Sequence, residues 1–147
     1  MNRLLTFILS GIAAAAVQAH VTLEQPQAAA GASYKAVFRV GHGCDGSATQ
    51  AIGVRLPEGF GHAKPMPKPG WTLTLRRDGD AVVEVTWKAA SREAWLDDAY
   101  YDEFVLRGTP ARSGPLVFKV LQQCEKAQVD WSPELQVLPA AAGGHVH

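Results

Sequence analysis

The sequence has no excess of charge of either sign: 14 Lys and Arg residues balance 14 Asp and Glu residues in a chain of 147. Nucleic-acid binding relies on a basic surface that displaces counterions from phosphates, so this composition argues against that class of protein. The chain also lacks an apolar run of the roughly 20 residues that a membrane-spanning helix needs. Signatures of nucleophilic, zinc-protease and phosphate-binding sites (G-x-S-x-G, H-E-x-x-H and a glycine-rich loop) are missing as well. What remains is a globular chain of one domain's length with 47% apolar residues.

Residues 1–19 are predicted to be a secretory signal peptide. A single cation near the start precedes a long apolar stretch, and small or apolar residues occupy positions 17 and 19, which a signal peptidase inspects. Cleavage after Ala19 would make His20 the first residue of the exported protein. The alanine run also offers a site after Ala16, and cleavage there would leave His20 fourth in the chain.

The chain has only two cysteines, Cys44 and Cys124. An exported pair in an oxidising compartment favours a disulfide over a metal site. Such a bridge would close a loop of about 80 residues, for which the chain-entropy model gives roughly 4 kcal/mol of stabilisation. Two thiolates on a soft metal ion are the alternative.

Apolar and polar residues alternate with a period of two over most of the sequence after residue 20, which predicts about eight β-strands. Asp78-Gly79 between two of these segments is a hairpin turn signal. Trp71 and Trp87 fall on the apolar faces of their strands and are expected in the core. The predicted strands are HVTLE (20–24), YKAVFRV (34–40), TQAIGVRL (49–56), WTLTLRR (71–77), AVVEVTW (81–87), YDEFVLR (101–107), PLVFKVLQ (115–122) and ELQVL (134–138).

Glycine and proline concentrate in the connecting segments QPQAAAGA, GHGCDGS, PEGFGHAKPMPKPG and RGTPARSG. Short alternating strands with such loops predict an all-β fold, an antiparallel β-sandwich of immunoglobulin-like kind rather than a closed barrel. One short helix is expected in SREAWLDDAY (91–100). The domain is predicted to span residues 20–139, and residues 140–147 are predicted to be a disordered tail.

A histidine at the start of an exported protein has an unusual chemical resource. Its terminal amine and its imidazole Nδ1 can close a chelate ring on one metal ion, and nitrogen ligands of this kind favour Cu(II) among divalent metals. Binding must displace protons, so acid should release the metal. On an extended HVTLE segment Glu24 shares a face with His20 but lies roughly 13 Å further along, so it reaches the same ion only if the terminus curls back. Otherwise Glu24 is a solvated carboxylate.

The other candidates for metal chemistry are weaker. His42 in GHGC lies beside a cysteine and could be a second ligand, although a lone loop histidine is usually a solvated side chain. His62 lies in a proline-rich loop, and His145 and His147 form a pair that could bind metal adventitiously. Trp131 in VDWSP occupies a polar, Pro-terminated turn where core burial explains a large indole poorly. An indole placed over a metal would exclude water and offer its π face to Cu(I).

Four stretches together resemble the YcnI-like family of secreted bacterial copper-binding proteins, whose domain was catalogued as unknown in function. They are HVTLEQPQAAAGASYKAVFRVGHGC, AKPMPKPGW, YYDEFVLRG and VLQQCEKAQVDW. The resemblance extends from residue 20 to about residue 139. It implies an immunoglobulin-like β-sandwich that binds Cu(II) through a histidine brace: the N-terminal histidine, a glutamate and a nearby tryptophan.

By this resemblance the brace histidine is His20 and the tryptophan is Trp131. The glutamate is assigned to Glu24, with Glu134 as the alternative. Many relatives carry a C-terminal membrane anchor, and its absence here implies a diffusing periplasmic protein, a monomer by default.

The sequence therefore predicts a periplasmic protein, not an enzyme, that captures copper and delivers it to other periplasmic or membrane copper-handling proteins. Two alternatives stay open. One is a copper-dependent oxidative enzyme, since polysaccharide monooxygenases also chelate copper with an N-terminal histidine, but they complete the brace with a second histidine. The other is a structural or adhesive β-sandwich in which His20 has no metal role.

Overall fold

The computed structural model describes residues 20–141 of the chain. The predicted signal peptide lies outside the described residues, as do His145 and His147 of the predicted tail. Twelve β-strands form the framework of the described part. In chain order they are β1 (Thr22–Leu23), β2 (Gln27–Ala29), β3 (Tyr34–Val40), β4 (Thr49–Arg55), β5 (Phe60–Pro65), β6 (Trp71–Asp78), β7 (Ala81–Ala89), β8 (Asp102–Pro110), β9 (Gly114–Val117), β10 (Lys119–Cys124), β11 (Gln128–Trp131) and β12 (Glu134–Leu138).

The strands form three sheets. A four-stranded sheet has the order β1-β3-β8-β5, and a five-stranded sheet has the order β11-β10-β4-β7-β6. Every pair in these two sheets is antiparallel. A smaller sheet, β2-β12-β9, pairs β2 with β12 in parallel. Strands β1 and β11 are edge strands of the two larger sheets, and the candidate site lies where they come together.

The core lies between the two larger sheets. Phe104 of the four-stranded sheet meets Trp87 of the five-stranded sheet edge-on, with ring centroids 5.7 Å apart. Phe38 of β3 meets Phe118 in the same way at 5.3 Å. These four rings are essentially inaccessible to solvent. Inward-facing residues of two sheets that interdigitate across one core define a β-sandwich, which confirms the predicted fold class.

The hairpin predicted at Asp78-Gly79 is present. Asp78 pairs with Ala81 across β6 and β7, and the two-residue turn has Gly79 at a φ of 57°. Only glycine adopts this left-handed conformation without a steric cost. Trp87 is fully buried as predicted, and Trp71 is half-buried against the core.

The structure corrects the predicted strand set, because PLVFKVLQ is not one strand. It divides at Phe118, whose side chain is fully buried and whose N–H donates to the carbonyl of Pro133 at 3.0 Å. The part before Phe118 pairs with β12 in the small sheet, and the part after it pairs with β4 and β11. The chain thus changes sheets at this residue.

Three strands lie where the sequence predicted loops. These are β2 within QPQAAAGA, β5 within PEGFGHAKPMPKPG and β11, which ends at Trp131. Trp131 is therefore the last residue of an edge strand and not part of a turn. Each of the three segments is short or rich in glycine and proline. Strands β2 and β5 pair with the distant strands β12 and β8, whereas β11 pairs with the preceding strand, β10.

The predicted helix is reduced to a single 3-10 turn at Arg92–Ala94. No helix within residues 20–141 is both long enough and apolar enough to cross a membrane.

The predicted disulfide joins Cys44 to Cys124, with Cα atoms 5.7 Å apart. Cys44 lies in the loop after β3, where its backbone exchanges two hydrogen bonds with Ser47. Cys124 ends β10. The bridge therefore attaches the GHGC loop, residues 41–44, to the five-stranded sheet.

Candidate functional site

His20 directly precedes β1 at the edge of the four-stranded sheet. Val21 and Leu23 are buried, whereas His20, Thr22 and Glu24 are exposed. This alternation agrees with an extended start of the chain. The strand predicted over residues 20–24 is shorter than expected, since β1 covers only Thr22–Leu23 and Glu24 lies at the bend that follows.

Strand β1 is attached to β3 by side-chain bonds as well as by the sheet. Arg39 donates hydrogen bonds to Thr22 Oγ1 from Nε at 3.3 Å and from Nη2 at 3.2 Å. The buried Tyr34 hydroxyl donates to the carbonyl of Gln25 at 2.6 Å. Burial raises the pKa of Tyr34 to about 12, and the negative charge of Glu24 acts in the same direction. The segment that carries His20 is therefore held to β3 by the side chains of Tyr34 and Arg39.

The His20 ring contacts Trp131. The two ring centroids are 4.9 Å apart and the rings meet edge-to-face at 66°. Such aromatic contacts are favourable because the positive edge of one ring faces the negative face of the other. The sequence resemblance paired these two residues although 111 positions separate them, and the structure brings them together.

An open cleft of about 280 Å³ lies beside this ring pair. Its walls come from two segments: the chain around β1 on one side and the short connection from β11 to β12 on the other. The lining residues are His20, Val21, Thr22, Leu23, Pro26, Trp131, Ser132, Pro133 and Glu134.

The two candidate carboxylates occupy different places. Glu134 lines the cleft together with His20 and Trp131. Glu24 is exposed at the bend that follows β1 and is not among the lining residues. The structure thus places the alternative candidate, Glu134, at the same cleft as the ring pair.

The remaining histidines of the described region lie elsewhere. His42 is half-buried, and its Nδ1 contacts the carbonyl oxygen of Gly43. His62 is exposed within β5, at a φ of 54°. Within residues 20–141 no three His, Cys, Asp or Glu side chains converge in the manner of a metal site. Neither histidine is brought to the cleft.

Sequence reasoning missed Gln122, which is hydrogen-bonded to Trp131. Its side chain is 1% exposed, and its Oε1 accepts a hydrogen bond from Trp131 Nε1 at 2.9 Å. The sequence did contain a signal. Phe118, Val120 and Cys124 occupy the buried positions of β10 and its approach, and Gln122 stands at the polar position within that apolar series.

The two facing antiparallel sheets define an immunoglobulin-like β-sandwich. The model of one domain family, described as a domain of unknown function (DUF1775), matches residues 20–142. The chain belongs to this family. The match begins at His20, the residue that follows the predicted signal peptide.

Solved structures give the same fold. An uncharacterized protein from Nocardia farcinica with an immunoglobulin-like fold is 26% identical, with a TM-score of 0.70 over 83% of this chain and 99% of that one. A cohesin module of a Clostridium perfringens family 33 glycoside hydrolase is 11% identical, with a TM-score of 0.53 over 78% of this chain and 92% of that one. At that identity the likeness concerns the fold alone. No curated protein matches the sequence.

Proposed function

We propose that the protein binds Cu(II) in the periplasm, with His20 as the terminal residue, and passes the ion to other copper-handling proteins. The observation that supports this proposal most strongly is the exposed His20 ring held against Trp131 at an open cleft. Imidazole and amine nitrogens are ligands that copper prefers over its divalent neighbours.

The donor set explains why the terminal amine is needed. Because no three ligand side chains converge within residues 20–141, side chains alone would leave copper short of ligands. Cleavage after Ala19 adds an amine to the imidazole of the same residue, and Glu134 supplies an oxygen donor on the same cleft. These three groups fit Cu(II).

The position of Trp131 and the exposure of His20 suit a site that holds copper temporarily and passes it to another protein. The indole lies edge-to-face against the imidazole and would limit the access of water to an ion held on that side. The open side of the cleft leaves room for a ligand from a partner protein, so the ion can be passed by ligand exchange. The π face of Trp131 would also favour Cu(I) if the ion is reduced.

The experiment compares two forms of the protein, both with His145→Ala and His147→Ala so that the tail contributes no ligand. One form starts at His20, as verified by intact mass, and the other carries one added alanine before His20. Cu(II) affinity is measured by competition with a chelator of known affinity. We expect one tight equivalent in the first form. The Cu(II) affinity of the second form should be lower by more than about 100-fold, since even substitutions outside the ligand shell lower metal affinity about 10- to 100-fold.

The carboxylate is tested by three matched Glu→Gln variants. We expect Glu134→Gln to weaken binding more than Glu24→Gln. Glu58→Gln should have no effect, since Glu58 lines a separate cleft with Arg112 and Leu116. Equal affinity in the two N-terminal forms would refute the brace, and catalytic consumption of reductant and oxygen by the loaded protein would instead support an oxidative enzyme.

A further inference from the structure

Gln122 is a buried amide on the otherwise apolar inward face of β10. It is 1% exposed, and its neighbours on the inward face, Val120 and Cys124, are also buried. A buried amide that has no hydrogen-bond partner destabilises the fold, because it has lost its hydrogen bonds to water. A buried glutamine is therefore tolerated only where the protein supplies those partners.

The bonds of Gln122 reach three separate elements. Its Oε1 accepts from Trp131 Nε1 at 2.9 Å. Its Nε2 donates to the carbonyl oxygen of His42 at 2.8 Å and to Thr49 Oγ1 at 2.9 Å. Both hydrogens of the amide nitrogen are therefore used, and the orientation of the amide is fixed.

Trp131 depends on this acceptor because an indole has a single N–H donor. Trp131 is half-buried at the end of an edge strand and packs against the rim of the core. With its N–H directed inward to Gln122, the ring is held in the orientation that meets His20 at 66°.

The other end of the same amide is attached to the GHGC loop. The His42 carbonyl belongs to this loop, the Gly43 N–H donates to Asp98 Oδ1 at 2.9 Å, and Cys44 is bonded to Cys124. The loop and the candidate copper site are thus connected through one side chain.

We propose that Gln122 is a positioning residue that holds Trp131 against His20 and couples the orientation of the indole to the GHGC loop. The placement of the ring can be tested without any metal. The effect of Gln122 on copper affinity rests on the proposed function.

The first test uses the metal-free protein. Gln122→Met keeps an unbranched side chain of similar length but removes the acceptor. The control is Gln123→Met, since Gln123 is exposed and adjacent on the same strand. Indole N–H exchange is followed by NMR, with the Trp131 signal assigned by its loss in Trp131→Phe. We expect exchange at Trp131 to accelerate at least about 10-fold in Gln122→Met, with loss of the contacts between the rings, and no change in Gln123→Met.

Thr49→Val provides a second variant in case Gln122→Met does not fold. It leaves the indole acceptor in place but removes one partner of the amide nitrogen. Exchange at Trp131 should then accelerate less than in Gln122→Met. Unchanged exchange in both variants would overturn the proposal, whether or not the protein binds copper.

The second test separates positioning from a general structural role. We expect Gln122→Met to weaken Cu(II) binding by about 10-fold, within the range for residues that orient a ligand shell. In a Trp131→Phe background the same substitution should cause no further loss, because its effect passes through the indole. If Cu(II) affinity fell in the Trp131→Phe background as much as in the unsubstituted protein, Gln122 would act by another route. Absence of copper binding at His20 in the unsubstituted protein would refute the proposed function and leave the result on ring placement intact.

Discussion

Removing the disulfide with the double substitution Cys44→Ala and Cys124→Ala should destabilise the protein and loosen the candidate site together. The bridge spans a sequence separation of 80 residues, and both cysteines are buried. It is the covalent attachment of the GHGC loop to β10. The same loop provides the His42 carbonyl that orients Gln122.

The magnitude follows from the length of the closed loop. For the separation of 80 residues, the chain-entropy relation gives an entropy loss in the unfolded chain that corresponds to about 4.5 kcal/mol at 25 °C. A domain of this size is typically stable by about 5 to 15 kcal/mol. The substitution should therefore remove about 30% or more of the free energy of unfolding.

The assay is equilibrium unfolding in urea, monitored by tryptophan fluorescence and circular dichroism. The free energy of unfolding should fall by about 4.5 kcal/mol. The slope of the free energy of unfolding against urea concentration should become steeper, because the unfolded chain without the bridge exposes more surface. In the same sample, exchange of the Trp131 indole N–H should accelerate. A loss below about 1 kcal/mol would refute the loop-entropy reasoning, and unchanged exchange would show that the loop does not hold Gln122.

Two further predictions concern groups whose burial the structure establishes. Trp87→Ala should lower the free energy of unfolding by about 3 to 5 kcal/mol, because Trp87 is fully buried and its Nε1 donates to the Met66 carbonyl at 2.9 Å; a loss below about 1 kcal/mol in urea unfolding would contradict this assignment. The pKa of Tyr34 is raised from 10.0 to about 12, so between these two values the unfolded chain has lost a proton that the folded chain retains. Stability should fall with rising pH across this window by up to about 1.4 kcal/mol per pH unit. The difference in free energy of unfolding between the native protein and Tyr34→Phe, measured as a function of pH, isolates this effect. Parallel pH profiles of the two proteins would refute it.

Local sequence patterns determined much of the sandwich. The long alternating strands β3, β4, β6 and β7 lie within a residue or two of their predicted bounds, since alternation with a period of two and a hydrophobic face suffice to specify a half-buried strand. The turn at Gly79 followed from a residue that tolerates a positive φ. The disulfide followed from the presence of only two cysteines in a chain with a predicted export signal.

The candidate site was only partly accessible from sequence. His20 was identified by its position after a predicted cleavage site, and Trp131 was identified by resemblance to a family. Neither argument contains the distance between the two rings. The strand that ends at Trp131 was missed because its four residues become a strand only by pairing with β10.

Tertiary structure alone decided which polar groups surround Trp131. Gln122 became a buried acceptor because its side chain faces inward from β10, and Glu134 reached the cleft because β12 continues from β11 along the antiparallel segment β9–β10. The sequence by itself determined which residues alternate, where the chain turns and which two sulfurs can bond, because these depend on neighbours along the chain. The contact of His20 with Trp131, and the cleft that they share with Glu134, depend on how two sheet edges come together, and that follows only from burial of the core between the sheets.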